Sequence, residues 1–335
     1  MRWGLIVRAE TDRGLGIQTL AMYENLKPDK TLVVLAPSGR PVHLGNYPDA
    51  TTATLKVING VPSTLDEQTV RDWWSGLDVV VTVETFYDWR LIEWARADGV
   101  RTIVHGNPEF WMATNPQPDT WWYPTTWRID KLPAGVVIPV PVNDDIPITA
   151  RPANDGDFRV MHIAGNAMED RNGTNTLLTA MRRLPSGVDL TLYHQSPIQR
   201  VHHSRIKTVR NVVDRWSMYA DHHALVLPRR YGGLCLPVLE AMACGLAVFM
   251  SDCSPNLNWP VVPVASDLSK TVAMQTGPVE TYETAPNVLA NTLKHFTNTR
   301  SALEAQQAAS REWAYNNRWS VLKERYYAEL DIASR

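Results

Sequence analysis

Residues 229–245, RRYGGLCLPVLEAMACG, combine the residue types of an anion-binding turn. Gly232 and Gly233 precede a predicted helix, and Pro237 suits its first turn because that position needs no N–H donor. Backbone N–H groups at a helix N-terminus bind phosphate and other oxyanions. Glu240 would lie one turn inside the helix, where a carboxylate can accept hydrogen bonds from the vicinal hydroxyls of a ribose. A helix entry without a ligand is the open alternative.

A second candidate is AGNAMEDRNGTNT, which follows the predicted strand FRVMHIA. Gly165 and Asn166 stand at the end of the strand, and Arg171 follows six residues after Gly165. A helix is predicted to start near Thr174. An arginine in such a loop is usually solvated. Beside the turn at 229–235 it would be a second clamp on a diphosphate, since guanidinium suits bidentate phosphate oxygens.

Two further candidates lie in the first half. Gly14 and Gly16 are predicted to form a tight loop before a helix, but Thr19 stands where a dinucleotide-binding fingerprint has its third glycine. A Rossmann dinucleotide enzyme is therefore disfavoured. His105 ends a predicted strand in VHGNPEFW, where it would face a ligand or serve a structural role.

The sequence lacks the residue patterns of several other classes of site. Cys235, Cys244 and Cys253 are evenly spaced along the chain and match no zinc motif. No phosphate-binding G-x-x-x-x-G-K-[ST] loop and no G-x-S-x-G nucleophile motif occurs. We therefore expect no metal. An odd number of cysteines favours a reducing compartment, so we expect a cytoplasmic protein. The opening run MRWGLIV is too short for a signal peptide or a membrane span, so we expect no membrane partner.

Composition and charge are those of a globular protein, with 44% hydrophobic and 20% charged residues among 335. The net charge is −2. Residues 1–150 carry 13 Lys and Arg against 18 Asp and Glu, and residues 151–335 carry 20 against 17. The first half is thus a poor nonspecific binder of nucleic acid, and the second could hold a small anion.

Thirteen tryptophans are an unusual number, and most of them precede residue 130. Core packing is the favoured interpretation, and a stacking surface for a sugar or base is the alternative. The strongest case for stacking is NPEFWMATNPQPDTWWYPTTW at residues 107–127, which its prolines mark as a loop.

The elements that must position these residues follow a repeating order. Strands such as WGLIV, TLVVLA and LDVVVTV alternate with amphipathic helical stretches, which indicates parallel βαβ units. A proline-rich stretch near residue 150 interrupts the order, and the alternation then restarts with FRVMHIAG. The sequence predicts two doubly wound α/β domains, with ligands at the carboxyl ends of strands and in the cleft between the domains. The last stretch is predicted to be helical in two pieces that break near Asn316 and Asn317.

The stretch RWSMYADHHALVLPRRYGGLCLPVLEAMACGLAVFMSD resembles the donor-binding signature of retaining GT-B glycosyltransferases of family 4, or glycosyl transferases group 1. AGNAMEDRNGT is similar to the G-R-x-x-x-x-K-G loop of that family, with Arg171 at the lysine position. The resemblance implies the GT-B fold. It also implies an acceptor domain at 1–145, a linker at 146–157, a donor domain at 158–315 and a helix at 316–335 that crosses back.

The resemblance further implies a nucleoside-diphosphate sugar as donor, with UDP-sugar favoured, no obligatory cofactor and no metal. Arg171 would bind the diphosphate, Glu240 the ribose, and His105 would lie near the reaction centre. The remaining donor-site residues implied are Gly14, Leu15, Gly16, Gly165, Asn166, Arg229, Tyr231, Gly232, Gly233, Leu234, Cys235 and Leu236.

Three positions depart from the family pattern. Gly232 stands where the family has a Glu that contacts the donor sugar, Asn166 replaces an Arg, and Arg229 replaces a Ser. The departures favour an altered donor, or an altered placement of the sugar, over loss of activity. The chain also looks like a bacteriophage-encoded branch, whose acceptors would be hydroxymethylated DNA bases or virion proteins and whose location would be the host cytoplasm. A glycan acceptor, a nucleotide-sugar epimerase and a noncatalytic binding protein remain alternatives.

Overall fold

The structure is a computed structural model. It describes residues 1–10, 14–36, 42–58, 61–110, 112–154, 156–165, 170–195, 201–210, 212, 214–274 and 277–334. The chain divides into two compact units. The first unit comprises Met1–Pro141 and Trp319–Arg335, and the second comprises Val142–Arg318. The domain limits taken from the resemblance stay predictions.

The first unit is built on a parallel sheet of seven described strands, in the order β3-β2-β1-β6-β7-β8-β9. The strands are β1 (Trp3–Val7), β2 (Lys30–Leu35), β3 (Thr51–Thr54), β6 (Val79–Glu84), β7 (Arg101–Gly106), β8 (Thr120–Tyr123) and β9 (Val136–Val137). Apolar runs such as WGLIV are buried on both faces, as a parallel sheet covered by helices requires. β1 pairs with β2 on one side and β6 on the other, which makes the sheet doubly wound.

Helices of the first unit are α1 (Gly14–Leu26), α2 (Glu67–Trp74), α3 (Arg90–Ala97) and α8 (Trp319–Ser334). A short antiparallel hairpin of β4 (Lys56–Ile58) and β5 (Val61–Thr64) was not expected from the sequence. α8 contributes Trp319, Tyr326 and Leu330 to the same buried cluster as β1. The Tyr326 hydroxyl donates to the carbonyl of Pro139 at 3.0 Å.

The tryptophan-rich stretch corrects one prediction. Thr120–Tyr123, expected as part of a loop, forms strand β8. Trp121 and Trp122 are buried in the two core clusters of the first unit, and Trp127 is buried as well. The core-packing interpretation is therefore confirmed for these three side chains. Trp111 lies outside the described residues.

The second unit has a parallel sheet of six described strands, in the order β12-β11-β10-β13-β14-β15. These are β10 (Phe158–Ile163), β11 (Val188–His194), β12 (Ile206–Arg210), β13 (Ala224–Leu227), β14 (Ala247–Ser251) and β15 (Val262–Val264). Its helices are α4 (Thr174–Met181), α5 (Leu236–Ala243), α6 (Pro286–Asn298) and α7 (Arg300–Asn316). An antiparallel hairpin of β16 (Ser266–Met274) and β17 (Gly277–Thr284) was not predicted.

Both units are therefore Rossmann-like α/β layers, and the predicted fold class is confirmed at this level. The break predicted near Asn316 and Asn317 is also confirmed, because α7 ends at Asn316 and α8 begins at Trp319. Within the described chain, no helix has the length and apolar character needed to cross a membrane.

Candidate donor site of the second unit

The candidate site lies where the second sheet changes winding direction. β10 pairs with β11 on one side and with β13 on the other. In open α/β sheets this switch point, at the carboxyl ends of the strands, is where ligands bind. The segments that leave β10 and β13 are residues 164–173 and 228–235, and they contain two of the sequence-predicted places.

The structure brings Arg171 and the glycine turn together. The backbone N–H of Arg230 donates to the carbonyl of Arg171 at 2.8 Å, and Arg171 Nε donates to the carbonyl of Tyr231 at 3.2 Å. The Arg171 guanidinium also lies over the Tyr231 ring, with its carbon 5.2 Å from the ring centre. The loop that holds Arg171 and the turn at 229–235 are therefore in direct contact, as the sequence predicted.

Gly232 is the point on which two guanidinium groups converge. A Cβ added there would lie 1.9 Å from Arg171 Nη2 and 2.5 Å from Arg229 Nη2. The two nitrogens are therefore separated by no more than the sum of these distances, about 4.4 Å. The φ of Gly232 is +120°, which side-chain-bearing residues rarely adopt. The backbone conformation therefore favours glycine, and a side chain at this position would also have to displace both guanidinium groups.

Gly173 allows the two loops to approach each other. Its φ is +72°, and a Cβ at this position would lie 2.2 Å from the backbone oxygen of Pro228. Since that oxygen belongs to the main chain, rotation of a side chain cannot relieve the overlap. Gly173 stands directly before α4, so it also fixes where that helix begins relative to the end of β13.

Arg229 holds the turn from inside. Its side chain is buried, with the residue 3% exposed. Nη1 donates to the carbonyl of Gly233 at 2.8 Å, and Nη2 donates to the carbonyl of Leu234 at 3.2 Å. Because both carbonyls are engaged by one charged group, the turn that leads into α5 has a fixed conformation.

The start of α5 agrees with the sequence prediction. Its N-cap residue is Cys235, whose side chain makes no capping hydrogen bond, and Pro237 lies in the first turn. Leu236 is the first helical residue. Gly245, predicted to end the helix, has a φ of +86°. α5 therefore begins directly after the turn that contains Gly233 and Leu234.

Glu240 lies inside α5 and is 6% exposed. Its Oε2 accepts a hydrogen bond of 2.5 Å from the Tyr219 hydroxyl, and its Oε1 accepts one from Arg215 Nη2. Burial raises the pKa of Tyr219 and lowers that of Arg215. The sequence analysis identified Glu240 but missed both partners, which stand more than 20 residues away in sequence.

His162 links the strands that bear the site. Its Nδ1–H donates to the carbonyl of Val226 at 2.7 Å, and its Nε2 accepts from the Thr174 hydroxyl at 2.9 Å. These bonds fix the neutral tautomer with the proton on Nδ1. Burial lowers the pKa of His162 to about 4. This residue joins β10, β13 and the first residue of α4, and the sequence analysis did not single it out.

Arg230 connects the site to the hairpin of β16 and β17. Arg230 Nη2 lies 2.8 Å from a carboxylate oxygen of Glu283, and the carbonyl of Arg230 accepts from the backbone N–H of Tyr282 at 2.9 Å. Gly165, at the other end of the site, has a φ of +64°. Asn166, its predicted partner in phosphate binding, lies outside the described residues.

In the first unit, His105 has the surroundings of a structural histidine. It is 2% exposed, its Nε2–H donates to the carbonyl of Ile138 at 3.1 Å, and its Nδ1 accepts from Gln18 Nε2 at 3.3 Å. Burial lowers the pKa of His105 to about 4. Both ring nitrogens thus have partners inside the unit, as those of a structural histidine do, and the place of His105 near the reaction centre stays a prediction.

Gly14, Leu15 and Gly16 are not a loop before a helix, because α1 begins at Gly14. They form its first turn, which corrects the prediction of their conformation. Their part in donor binding stays a prediction. The three cysteines are free and buried. Among the described residues, no group of three or more His, Cys, Asp or Glu side chains could hold a metal ion.

One comparison with known proteins finds a family model whose match spans the candidate site. Residues 159–261 match the family model described as Glycosyl transferases group 1. That segment holds Arg171, the turn at 229–235 and Glu240. None of the curated proteins compared with the chain matches it.

Solved structures match the whole chain at low sequence identity. Anabaena Alr3699/HepE in complex with UDP and glucose has a TM-score of 0.70 and 11% identity, covering 99% of both chains. The sucrose-phosphate synthase of Thermosynechococcus elongatus has a TM-score of 0.71 and 16% identity, covering 99% of this chain and all of the other. The lipopolysaccharide outer core galactosyltransferase WaaB has a TM-score of 0.64 and 13% identity, covering 98% of this chain and 100% of the other. The chain therefore has the GT-B fold that these glycosyltransferases share.

Proposed function

We propose that the protein is a glycosyltransferase that moves a sugar from a nucleoside-diphosphate sugar to an acceptor hydroxyl. The observation that carries the proposal is the meeting of Arg171 with the turn at 229–235 at the switch point of the second sheet. The match of residues 159–261 to group 1 glycosyltransferases supports it. HepE, which shares the fold, has been solved with UDP and with UDP-glucose, and this favours a UDP-sugar over a GDP-sugar.

In this proposal the second unit binds the donor. Arg171 holds the diphosphate through its guanidinium fork, and the backbone N–H groups of residues 233–236 meet phosphate and sugar at the start of α5. Glu240 accepts hydrogen bonds from the ribose. When the bond between sugar and phosphate breaks, the diphosphate takes the electron pair, and Arg171 and the α5 dipole stabilise its charge. The acceptor oxygen forms the new bond to the anomeric carbon on the face that the diphosphate leaves, and its proton passes to the leaving phosphate, so the configuration is retained.

Titration of the full chain with UDP-, GDP- and ADP-sugars, followed by an assay for released diphosphate, tests the proposal. Glu240→Ala should abolish turnover and weaken binding of UDP, whereas Glu304→Ala, on the exposed face of α7, should change neither. Absence of both binding and turnover across the panel would refute the proposal. Conversion of the donor to an isomer without transfer would instead support an epimerase.

The identity of the acceptor is a separate question. Hydroxymethylated DNA is one candidate, and a protein or a glycan is the alternative. Trp121 and Trp122, two candidates for stacking on a base, are buried in the core. Arg8, which with Arg13 and Arg128 could contact the phosphates of a DNA acceptor, pairs with Glu10 at 2.6 Å. These placements weigh against DNA. Electrophoretic retardation of hydroxymethylated duplex DNA, compared with plain DNA, decides the question, because equal or absent retardation leaves a protein or glycan as acceptor. Modified DNA as acceptor would also support the bacteriophage branch.

A further inference from the structure

The carboxylate of Glu240 is held from two sides by residues outside the predicted site. Tyr219 donates its hydroxyl proton to Oε2 at 2.5 Å, and Arg215 donates from Nη2 to Oε1. Each oxygen has one donor, so the plane and the position of the carboxylate are both fixed. A single donor would leave the group free to rotate.

The two bonds leave a defined set of lone pairs. A carboxylate offers about four acceptor positions, two on each oxygen. Among the residues that the structure describes, Tyr219 takes one position on Oε2 and Arg215 one on Oε1, and one position on each oxygen remains for a ligand. Two remaining acceptors on neighbouring oxygens match two neighbouring hydroxyl donors, and the 2′ and 3′ hydroxyls of ribose form such a pair.

Arg215 also neutralises the negative charge of Glu240. Glu240 is nearly fully buried, and a lone buried carboxylate is strongly destabilising. It would also repel a diphosphate bound at the start of the same helix. Arg215 forms an ion pair with it, and its guanidinium carbon lies over the Trp216 ring, 4.9 Å from the ring centre. The pair carries no net charge, so the carboxylate can serve as an acceptor beside an anion.

We propose that Arg215 and Tyr219 are positioning residues that orient Glu240 to bind both ribose hydroxyls, so that the site selects ribonucleoside diphosphates over their 2′-deoxy counterparts. The inference rests on the proposed function and deepens it, because it names the sugar of the nucleotide and not the base. Neither residue need touch the reacting atoms. Their effect is transmitted through the direction of the two carboxylate oxygens.

The test compares dissociation constants of UDP and 2′-deoxy-UDP by calorimetry on the full-length protein. Loss of one hydrogen bond to a charged group weakens binding by about tenfold to a hundredfold, so the wild type should prefer UDP by at least about tenfold. In Tyr219→Phe and in Arg215→Met the preference should fall below about threefold. Arg215→Lys, which keeps the charge, should retain part of it.

Matched controls separate orientation of Glu240 from general damage to the second unit. Tyr193→Phe removes a hydroxyl from a buried tyrosine of β11. Arg205→Met removes a guanidinium that donates to the carbonyls of Met181, Leu184, Pro185 and Val188. Both should keep the wild-type ratio, although Arg205→Met should lower the unfolding midpoint.

The outcomes are separable. A ratio that stays unchanged in Tyr219→Phe or Arg215→Met overturns the role of that residue. A wild type that binds UDP and 2′-deoxy-UDP equally well overturns the whole inference while the proposed function stands. A wild type that binds none of UDP, GDP and ADP refutes the proposed function, and the inference falls with it.

Discussion

Replacing Gly232 by alanine tests whether the two guanidinium groups share the space that a side chain would take. Alanine at a φ of +120° costs about 1–2 kcal/mol of strain. The new Cβ would also displace Arg229 Nη2, now 2.5 Å from its position. Hydrogen bonds from a charged group contribute about 1.5–3 kcal/mol each, so loss of one of the two from Arg229 adds about 2 kcal/mol. We expect Gly232→Ala to lose about 3–4 kcal/mol of unfolding free energy in total.

Gly187 provides the matched control. It lies in the same unit with a φ of +91°, and a Cβ there would meet no atom within 4 Å. Gly187→Ala should therefore show the strain alone, about 1–2 kcal/mol. The difference between the two variants isolates the displacement of Arg171 and Arg229.

The assay is urea unfolding followed by tryptophan fluorescence, with UDP affinity measured on the folded variants. Gly232→Ala should unfold at lower urea than Gly187→Ala and should bind UDP more weakly, because Arg171 has moved. Equal unfolding midpoints and equal UDP affinities for the two variants would refute the reasoning that places both guanidinium groups at Gly232.

Three further predictions follow from other contacts. Gly173→Ala should destabilise the second unit at least as much as Gly232→Ala, because its Cβ would meet the main-chain oxygen of Pro228. The same urea unfolding measures this, and a loss of unfolding free energy no larger than that of Gly187→Ala would contradict it. The free energy of unfolding should fall as the pH drops from about 6.5 to about 4, because unfolded histidines bind protons in that range and the buried His105 and His162 do not. Each of the two residues should contribute up to about 3 kcal/mol to the fall. His162→Gln should flatten the measured dependence of unfolding free energy on pH, and an unchanged slope would argue against the buried neutral form. Turnover should persist in EDTA, because Arg171 and the start of α5 supply the positive charge; activity lost in EDTA and restored by Mg²⁺ would show that a metal takes part.

Local signals in the sequence were sufficient for much of the fold and for the turn at the site. Apolar β-branched runs marked strands such as β1 and β6, since both faces of a parallel sheet are buried. Pro237 and Gly245 marked the two ends of α5 through their backbone constraints alone. These features depend on neighbouring residues, which is why they can be predicted without knowledge of the fold.

Long-range contacts were beyond such reasoning. The bonds of Glu240 to Arg215 and Tyr219 join residues 25 and 21 positions apart, and no periodicity encodes them. The hairpin of β16 and β17 is largely exposed on β16, so it lacks the apolar alternation that marks a strand. β8 was hidden by the prolines around it, although the buried pair Trp121 and Trp122 lies within it. His105 ended a strand as predicted, but its burial is decided by α1 and by Ile138, which lie far along the chain.

The placement of α8 bears on the order in which the protein can fold during synthesis. The second unit is one continuous segment, so all of its residues have been made before the ribosome reaches Trp319. The first unit begins the chain, yet its core lacks Trp319, Tyr326 and Leu330 until that last helix has been made. A nascent chain that ends before α8 therefore lacks three of the side chains that fill the core of the first unit. The first unit thus depends for its core on residues made after the whole of the second unit.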